Sequence, residues 1–378
     1  DTNTDKDMAP DVTEAGLQDA LQIGTGPMML IEGLRRAEAG ERVLFVDRDT
    51  ALGGAWKTPT MMGFEGVETG VHLIENRGPV NAAFAALVGP GGLVTNPPDF
   101  GYALGRRLPM RLTRILLYGL VGGKALAAGR RERTLHALRN ALSSAAAAGV
   151  PLVYPAGGFA AALGCFEARL AAAGAGIRFG TAITGVTMAG AHVCAAIRQA
   201  GIPGEIRARQ LVMSSRAHAP IAGLEPLWDG VEHSQARNLV LRLAGPPPRF
   251  SGYVEFLGDR LVKRARRLAA TPTGAGPAPA PGDSLVTVQI RNGGSGADLS
   301  GDILARRAAA RLRQAGLLAP GTAVLDSREM TSRMTTLPAR SLARIHALHS
   351  PRIRVLHSVD LSAAAPALRA RPLQPPPR

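Results

Sequence analysis

The sequence predicts a two-domain α/β chain whose first domain opens with a β-turn-α-β unit. Three observations predict it. With 378 residues the chain is more than twice the usual domain size of about 150 residues. Hydrophobic residues make up 46% and charged residues 19%, enough apolar material for packed cores and far from the signature of disorder. Near its start, a short apolar strand, a glycine turn, a helical repeat and a second apolar strand follow in the order of a β-turn-α-β unit.

Residues 1–16 read as a disordered leader. Asp1 to Asp11 is polar and acidic, without the basic patch and apolar stretch of a secretory signal, so a cytoplasmic location is expected. The strand Ala20-Leu21-Gln22-Ile23, the turn Gly24-Thr25-Gly26-Pro27, a helix over Met28 to Ala39 and the strand Arg42 to Asp47 come next. A second region begins near Val80, with a basic, mostly helical stretch from Arg106 to Arg139. Leu152 to Tyr154 returns as strand, followed by a turn, a helix over Phe159 to Ala173, a strand at Gly176 to Phe179 and a run of short strands over 181–214. Segments 218–268 and 285–291 are strand-rich, and the Pro/Gly-rich stretch 271–284 between them is a loop. A helix over Leu304 to Ala315, a strand over Thr322 to Leu325 and a last apolar strand at Arg352 to Leu356 complete the pattern, ahead of a short Ala-rich helix and a Pro-rich tail. The expected grouping is 17–80, 150–216 and 345–378 in one discontinuous domain, with 81–149 and 217–344 in the other.

Composition narrows the partners. The formal charge is +15, yet only four of 44 basic residues are Lys, which points to a skewed source composition more than to a nucleic-acid surface. Aromatics at 4% also leave few stacking platforms, so no nucleic-acid partner is expected. Cys165 and Cys194 have no metal-ligand spacing and read as buried apolar residues, and the histidines form no ligand set, so no metal site is expected. No serine sits in a Gly-x-Ser-x-Gly elbow, which disfavours a hydrolase.

The glycine turn carries the functional signal. A dinucleotide diphosphate needs bare backbone N–H groups at a helix start, which Gly24 and Gly26 supply. Asp47 lies 23 positions beyond Gly24, near the roughly 20 expected for a carboxylate accepting from ribose hydroxyls. Met29 stands where a small residue normally allows close helix–strand packing, and Gly33 is the candidate to restore that approach. A Gly-x-Gly turn is also an ordinary tight connection; the strand, helix and Asp47 around this one favour nucleotide binding.

Asp47, five positions, then Gly53-Gly54 resembles the flavin amine oxidase and phytoene desaturase superfamily. The likeness continues at Tyr154-Pro155-Ala156-Gly157-Gly158-Phe159, through Gly176 to Ile183, and at Leu211 to Ser215. The resemblance implies a Rossmann-like FAD/NAD(P)-binding domain with a mixed α+β substrate domain. It implies FAD as cofactor and oxidation of a C–C or C–N bond in a mainly apolar small molecule. It assigns Gly24, Gly26, Asp47, Gly53, Gly54 and Ile183 to the cofactor, Ile183 through its backbone at the adenine. Asp360 matches the family's C-terminal Gly-Asp, with Val359 in place of the glycine. Arg48 and Lys57 are candidate phosphate cations. His72, in the segment after the glycine pair, is the candidate acid or base, against a purely structural role.

Alternatives remain open at this level: a redox-neutral flavin mutase of the UDP-galactopyranose type, a nonenzymatic escort protein similar to GDP-dissociation inhibitors, and a nicotinamide-only dehydrogenase. Nothing in the sequence sets the oligomeric state. Nine basic residues and one acid between Arg106 and Arg139 surround an apolar run, which makes 106–139 a candidate for peripheral contact with an anionic membrane or a covering helix of the substrate domain.

Overall fold

The computed structural model describes residues 16–70, 152–214, 232–250, 252–268, 282–292, 298–336 and 350–356, most of 84–138, and the short pieces 74–75, 271–272, 280, 295–296, 344 and 347–348. The elements of its first half are β1 (Gln18–Ile23), α1 (Pro27–Glu38), β2 (Val43–Val46), β3 (Phe64–Glu65), β4 (Ile74–Glu75), β5 (Leu93–Asn96), β6 (Phe100–Ala103), β7 (Arg106–Leu108), α2 (Met110–Ala127) and β8 (Leu152–Pro155). Then come α3 (Gly158–Ala172), β9 (Gly176–Arg178), β10 (Thr181–Ala189), β11 (His192–Gln199), β12 (Ile202–Ser214), β13 (Glu232–Ala244) and β14 (Tyr253–Phe256). The last are β15 (Val262–Arg267), β16 (Thr271–Pro272), β17 (Ser284–Ile290), α4 (Gly301–Gln314), β18 (Ala323–Thr336) and β19 (Ile353–Leu356).

The chain divides into two compact units, one of Asp1–Gly54, Leu163–Glu232 and Thr335–Arg378, the other of Ala55–Ala162 and His233–Met334. The boundaries fall after Gly54 and after Ala162, whereas the sequence grouping put 17–80 and 150–216 together.

The first unit carries a seven-stranded sheet. At its centre, parallel pairing runs in the order β19-β12-β1-β2-β9. β12 is long enough to serve two partners. Its first half joins the antiparallel meander β10-β11-β12, and its second half, where Leu211, Val212 and Met213 are all buried, enters the parallel core. Leu21, Leu44, Val46, Leu211, Met213, Ile353 and Val355 pack together on one face of this sheet.

α1 covers the opposite face. Pro27 at the first helical position presets its start, and Arg35 and Arg36 in its last turn suit the negative end of the helix dipole. Met29 is buried at 1% exposure. The close approach occurs one turn later, where a Cβ on Gly33 would lie 2.1 Å from Cζ of Phe45. Gly33 therefore does what the third glycine of the turn motif normally does. Arg36 reaches Gln210 and Glu41, and Arg354 on β19 pairs with Glu32 at 3.4 Å, tying α1 to the far strands.

The second unit is built on a sheet of order β18-β13-β17-β15-β14-β6-β7. One face packs Leu239, Leu241, Val254, Val286, Val288 and Ile290 against Leu304, Ala308 and Leu312 of α4. These α4 positions recur at helical spacing, with Asp302 opening the helix and Arg311 and Arg313 closing it.

Several boundaries differ from the sequence expectation. The short strands expected over 181–214 are three strands of 9, 8 and 13 residues. The strand after Thr322 runs on to Thr336. Arg106 to Leu108 is a strand before the helix begins, and Thr271–Pro272, inside the expected loop, pairs with β3. Each of these segments has exposed polar positions, so its strand character comes from a neighbour's hydrogen bonds and is invisible to apolar content. Cys165 and Cys194 are free and half-buried, not fully enclosed. The remaining part of the expected loop at 273–279 and the C-terminal tail lie outside the described residues.

Gly33→Ala is expected to cost about 1–3 kcal/mol, because a methyl would strike the buried Phe45 ring. Phe45→Leu in the same chain should recover part of that loss; simple additivity of the two changes in thermal unfolding would refute the contact as the cause.

Candidate functional site

Two features of the first unit meet at the carboxyl end of β1. β2 and β9 lie to one side of β1, while β12 and β19 lie to the other, so the strand order switches direction there. In open α/β sheets such a switch point is where a crevice for ligands forms. The turn Gly24-Thr25-Gly26 sits at this point, with Gly24 at φ +87°, a conformation that favours glycine.

Thr25, fully buried, organises the turn. Its N–H and its hydroxyl both donate to Oδ2 of Asp47, at 2.7 and 2.6 Å, and its hydroxyl accepts from Gly53 N–H at 3.3 Å. Asp47 Oδ1 accepts from the Asp49 amide at 3.0 Å. A carboxylate has about four acceptor sites, so about one remains after these three bonds. The sequence placed Asp47 as a ribose acceptor; in the structure it also locks the glycine turn to the end of β2.

The same bond brings in the glycine pair. Gly54, at φ +55°, lies so close to the turn that a Cβ on it would stand 3.0 Å from Gly26 Cα. Gly24 and Gly26 themselves face open space, with nothing within 4 Å of an added Cβ. α1 starts at Gly26 without a side-chain cap, so its first N–H groups are left to water or a ligand. Arg48 is exposed beside Asp47. Ile183, on β10, packs against the apolar core of the unit, and that strand is joined to Asp47 by the Thr181 N–H donating to the Asp47 carbonyl at 2.8 Å. Gly24, Gly26, Asp47, Arg48, Gly53, Gly54 and the start of the Ile183 strand are thus brought together. His72 and Asp360 lie outside the described residues.

The second unit holds a buried charge cluster that the sequence did not single out. Glu68 is wholly enclosed. It accepts from the Tyr154 hydroxyl, from the Phe159 N–H at 3.3 Å, and from Arg266 Nη1 at 3.2 Å. The Arg266 guanidinium also lies 3.6 Å from the Tyr154 ring centroid. Glu68 sets its carboxyl at the first turn of α3, where the helix dipole favours negative charge. The loop is held there by Gly66, at φ +72°, whose added Cβ would be 3.0 Å from that of Ala160. Burial pushes the Glu68 carboxyl above its ordinary range, opposed by Arg266 and the two hydrogen-bond donors. Burial and the adjacent Glu68 raise the Tyr154 hydroxyl as well, so it stays protonated. Trp56 stacks obliquely on Phe84 and Phe159, at 5.1 and 4.5 Å between centroids, and Phe159 meets Tyr154 edge-on. Arg266 lies 198 residues from Glu68 along the chain, a separation that leaves no local signal.

No protein-family model matches the sequence, and no curated protein matches it. Solved structures do match the fold. A fatty acid isomerase from P. acnes that produces CLA is similar over 93% of this chain and 97% of its own, at TM-score 0.63 and 13% identity. A putrescine oxidase solved with putrescine is similar over 94% and 100%, at TM-score 0.62 and 12% identity. An oxidoreductase from Methanosarcina mazei is similar over 93% and 99%, at TM-score 0.58 and 13% identity. The chain therefore has the Rossmann-like FAD/NAD(P)-binding fold with a mixed α+β second domain.

Arg266→Met should destabilise the chain by about 3–5 kcal/mol at pH 8, since it leaves a buried carboxyl without its cation. Without Arg266 the folded-state pKa of Glu68 rises further above its unfolded value of about 4.3, so the penalty is small below that pH and grows as pH rises. Urea unfolding from pH 5 to pH 8 checks this, and Glu68→Gln added to Arg266→Met should flatten the profile. A pH-independent loss would show that the pair is not the cause.

Proposed function

We propose that the chain is an FAD-dependent oxidoreductase acting on a C–C or C–N bond of a mainly apolar small molecule. One observation carries the reading: the Gly53-Gly54 backbone lies directly against Gly26 at the switch point of the parallel sheet, next to an uncapped helix start and open space over Gly24 and Gly26. A side chain at any of these glycines would fill the room a diphosphate needs. FAD, when bound, supplies hydride acceptance, which needs no catalytic triad from the protein.

The chain's own residues then bind and orient. Gly24, Gly26 and the first N–H groups of α1 would hold the diphosphate, and the remaining acceptor site of Asp47 would take a ribose hydroxyl. Arg48 offers an exposed cation beside them, and the backbone at Ile183 belongs with the adenine. His72 as acid or base and Asp360 as the C-terminal cofactor contact are part of the same reading.

Gly26→Ala separates this function from mere folding. Gly26 has an ordinary extended conformation, φ −63°, and an added methyl meets no neighbour, so the flavin-free variant should melt like the wild type. The purified wild-type chain should show the visible bands of oxidised flavin, or take up added FAD, and Gly26→Ala should bind it at least tenfold more weakly. A colourless wild-type chain that ignores added FAD would defeat the proposal.

We infer further that 106–139 rests on an anionic membrane surface. Leu112, Leu116, Leu120, Val121 and Leu126 of α2 are 41–66% exposed, with Leu112, Leu116 and Leu120 forming one stripe, and Arg106, Arg107 and Lys124 are exposed nearby. No helix among the described residues is long and apolar enough to cross a membrane. The chain should sediment with phosphatidylglycerol vesicles and not with phosphatidylcholine alone, and Leu116→Asp with Leu120→Asp should release it. Failure of the wild type to sediment with either would disprove the attachment.

A further inference from the structure

The face of the second sheet that points away from α4 carries an excess of enclosed positive charge. Val286, Val288 and Ile290 of β17 belong to the apolar core. The alternate residues Thr287 and Gln289, and Arg291 one step beyond the strand, project from the other face. Each has a buried polar atom without a hydrogen-bond partner among the described residues: Thr287 Oγ1, Gln289 Oε1 and Arg291 Nε. Buried polar atoms are nearly always paired, so three along one stripe call for partners that the described residues do not supply.

The neighbouring strand adds cations. Val262 pairs with Ile290 and Arg264 with Gln289, which makes Lys263 the extra residue of a β-bulge and sets it beside Arg264 opposite Gln289. In this lateral row Gly101, Glu255, Arg264 and Gln289 stand side by side, and α2 packs over its Gly101 end, where an added Cβ would strike Thr113.

Most of the charge on this face is matched. Arg264 pairs with Glu255 at 2.6 Å, Arg266 with Glu68 at 3.2 Å, and Arg242 with Asp283 at 2.7 Å. Lys263, half-buried, has no hydrogen bond or ion pair among the described residues, and the one bond found for Arg291 is to the Phe256 carbonyl at 2.8 Å. Burial, Arg264 and Arg291 together depress the Lys263 ammonium pKa, Glu255 offsetting only part. Enclosed cations need a counter-charge, and among the described residues Glu255, Glu68 and Asp283 are already engaged.

We propose that this face binds the carboxylate of a small-molecule substrate, with Lys263 and Arg291 as its counter-charges, and that the Thr287 hydroxyl, about 13 Å along the strand from Arg291, meets a polar group at the far end of the same molecule. Gln289 Oε1 then accepts from an O–H or N–H of the same molecule. The proposal rests on the oxidoreductase reading only in calling the ligand a substrate.

The test uses the full chain, with octanoate and phenylacetate as probes and their amides as uncharged counterparts. Isothermal titration should show both carboxylates binding at least tenfold more tightly than the amides, and Lys263→Met and Lys263→Gln should erase that preference. Without ligand, Lys263→Met should melt higher than the wild type, by about 2 °C or more, because a half-buried charge with no partner is removed. A melting temperature lowered by both Lys263 variants, or carboxylates that bind no better than amides or not at all, would overturn it. Flavin content is read separately from the visible spectrum, so loss of either result leaves the other standing.

Discussion

The hydroxyl of Thr25 holds together the end of the first unit where β1, β2 and α1 meet. It donates to Asp47 at the end of β2 and accepts from Gly53 at the start of the glycine pair, while its own turn joins β1 to α1. Three segments that have no reason to converge by local preference are thereby fixed around one buried oxygen. The consequence is positional: the glycine pair reaches the helix start only because Asp47 and Gly53 share this partner. Close approach then becomes possible wherever a side chain is missing, at Gly54 against Gly26 and at Gly33 against Phe45.

Charge is handled in two ways in the second unit. Around Glu68, a carboxyl, a guanidinium and a phenol are enclosed together with a helix start, and the chain supplies these partners to one another. Such a cluster specifies one arrangement of the loop at 66–68, α3 and β15, and has no need of a ligand. Along β17 and the bulge of β15 the opposite holds, since Lys263 and the atoms Thr287 Oγ1, Gln289 Oε1 and Arg291 Nε have no matching group among the described residues. A site that stays poised for a charged molecule gives up stability to do so. The contrast between the two clusters, which touch β15 at Arg266 and at Lys263, is what distinguishes a structural charge from a binding one.

The β-turn-α-β unit was legible in the sequence because its signals are local: four apolar residues before a glycine, a proline at the first helical position, and helical spacing after it. The glycine pair was legible for the same reason, as a spacing from Asp47. Gly33 was readable as a small residue on the right face, though its role needed the position of Phe45. The strands β10 to β12 and β18 were misjudged in length because their outward residues are polar, and only their partners make them strands.

By itself, then, the sequence determined the order of elements at the amino end, the glycine geometry and the motif spacing, all of which depend on residues within one turn or strand of each other. The tertiary structure alone decided that Thr25 and not a free Asp47 is the hub, that Glu68 meets Arg266 across 198 residues, and that Lys263 stands in a bulge beside atoms of β17 that have no partner among the described residues. Those outcomes depend on which strands become neighbours and in what register, and a one-residue change of register turns every side chain to the other face. No local pattern encodes that choice, because it is made by the burial of the whole sheet.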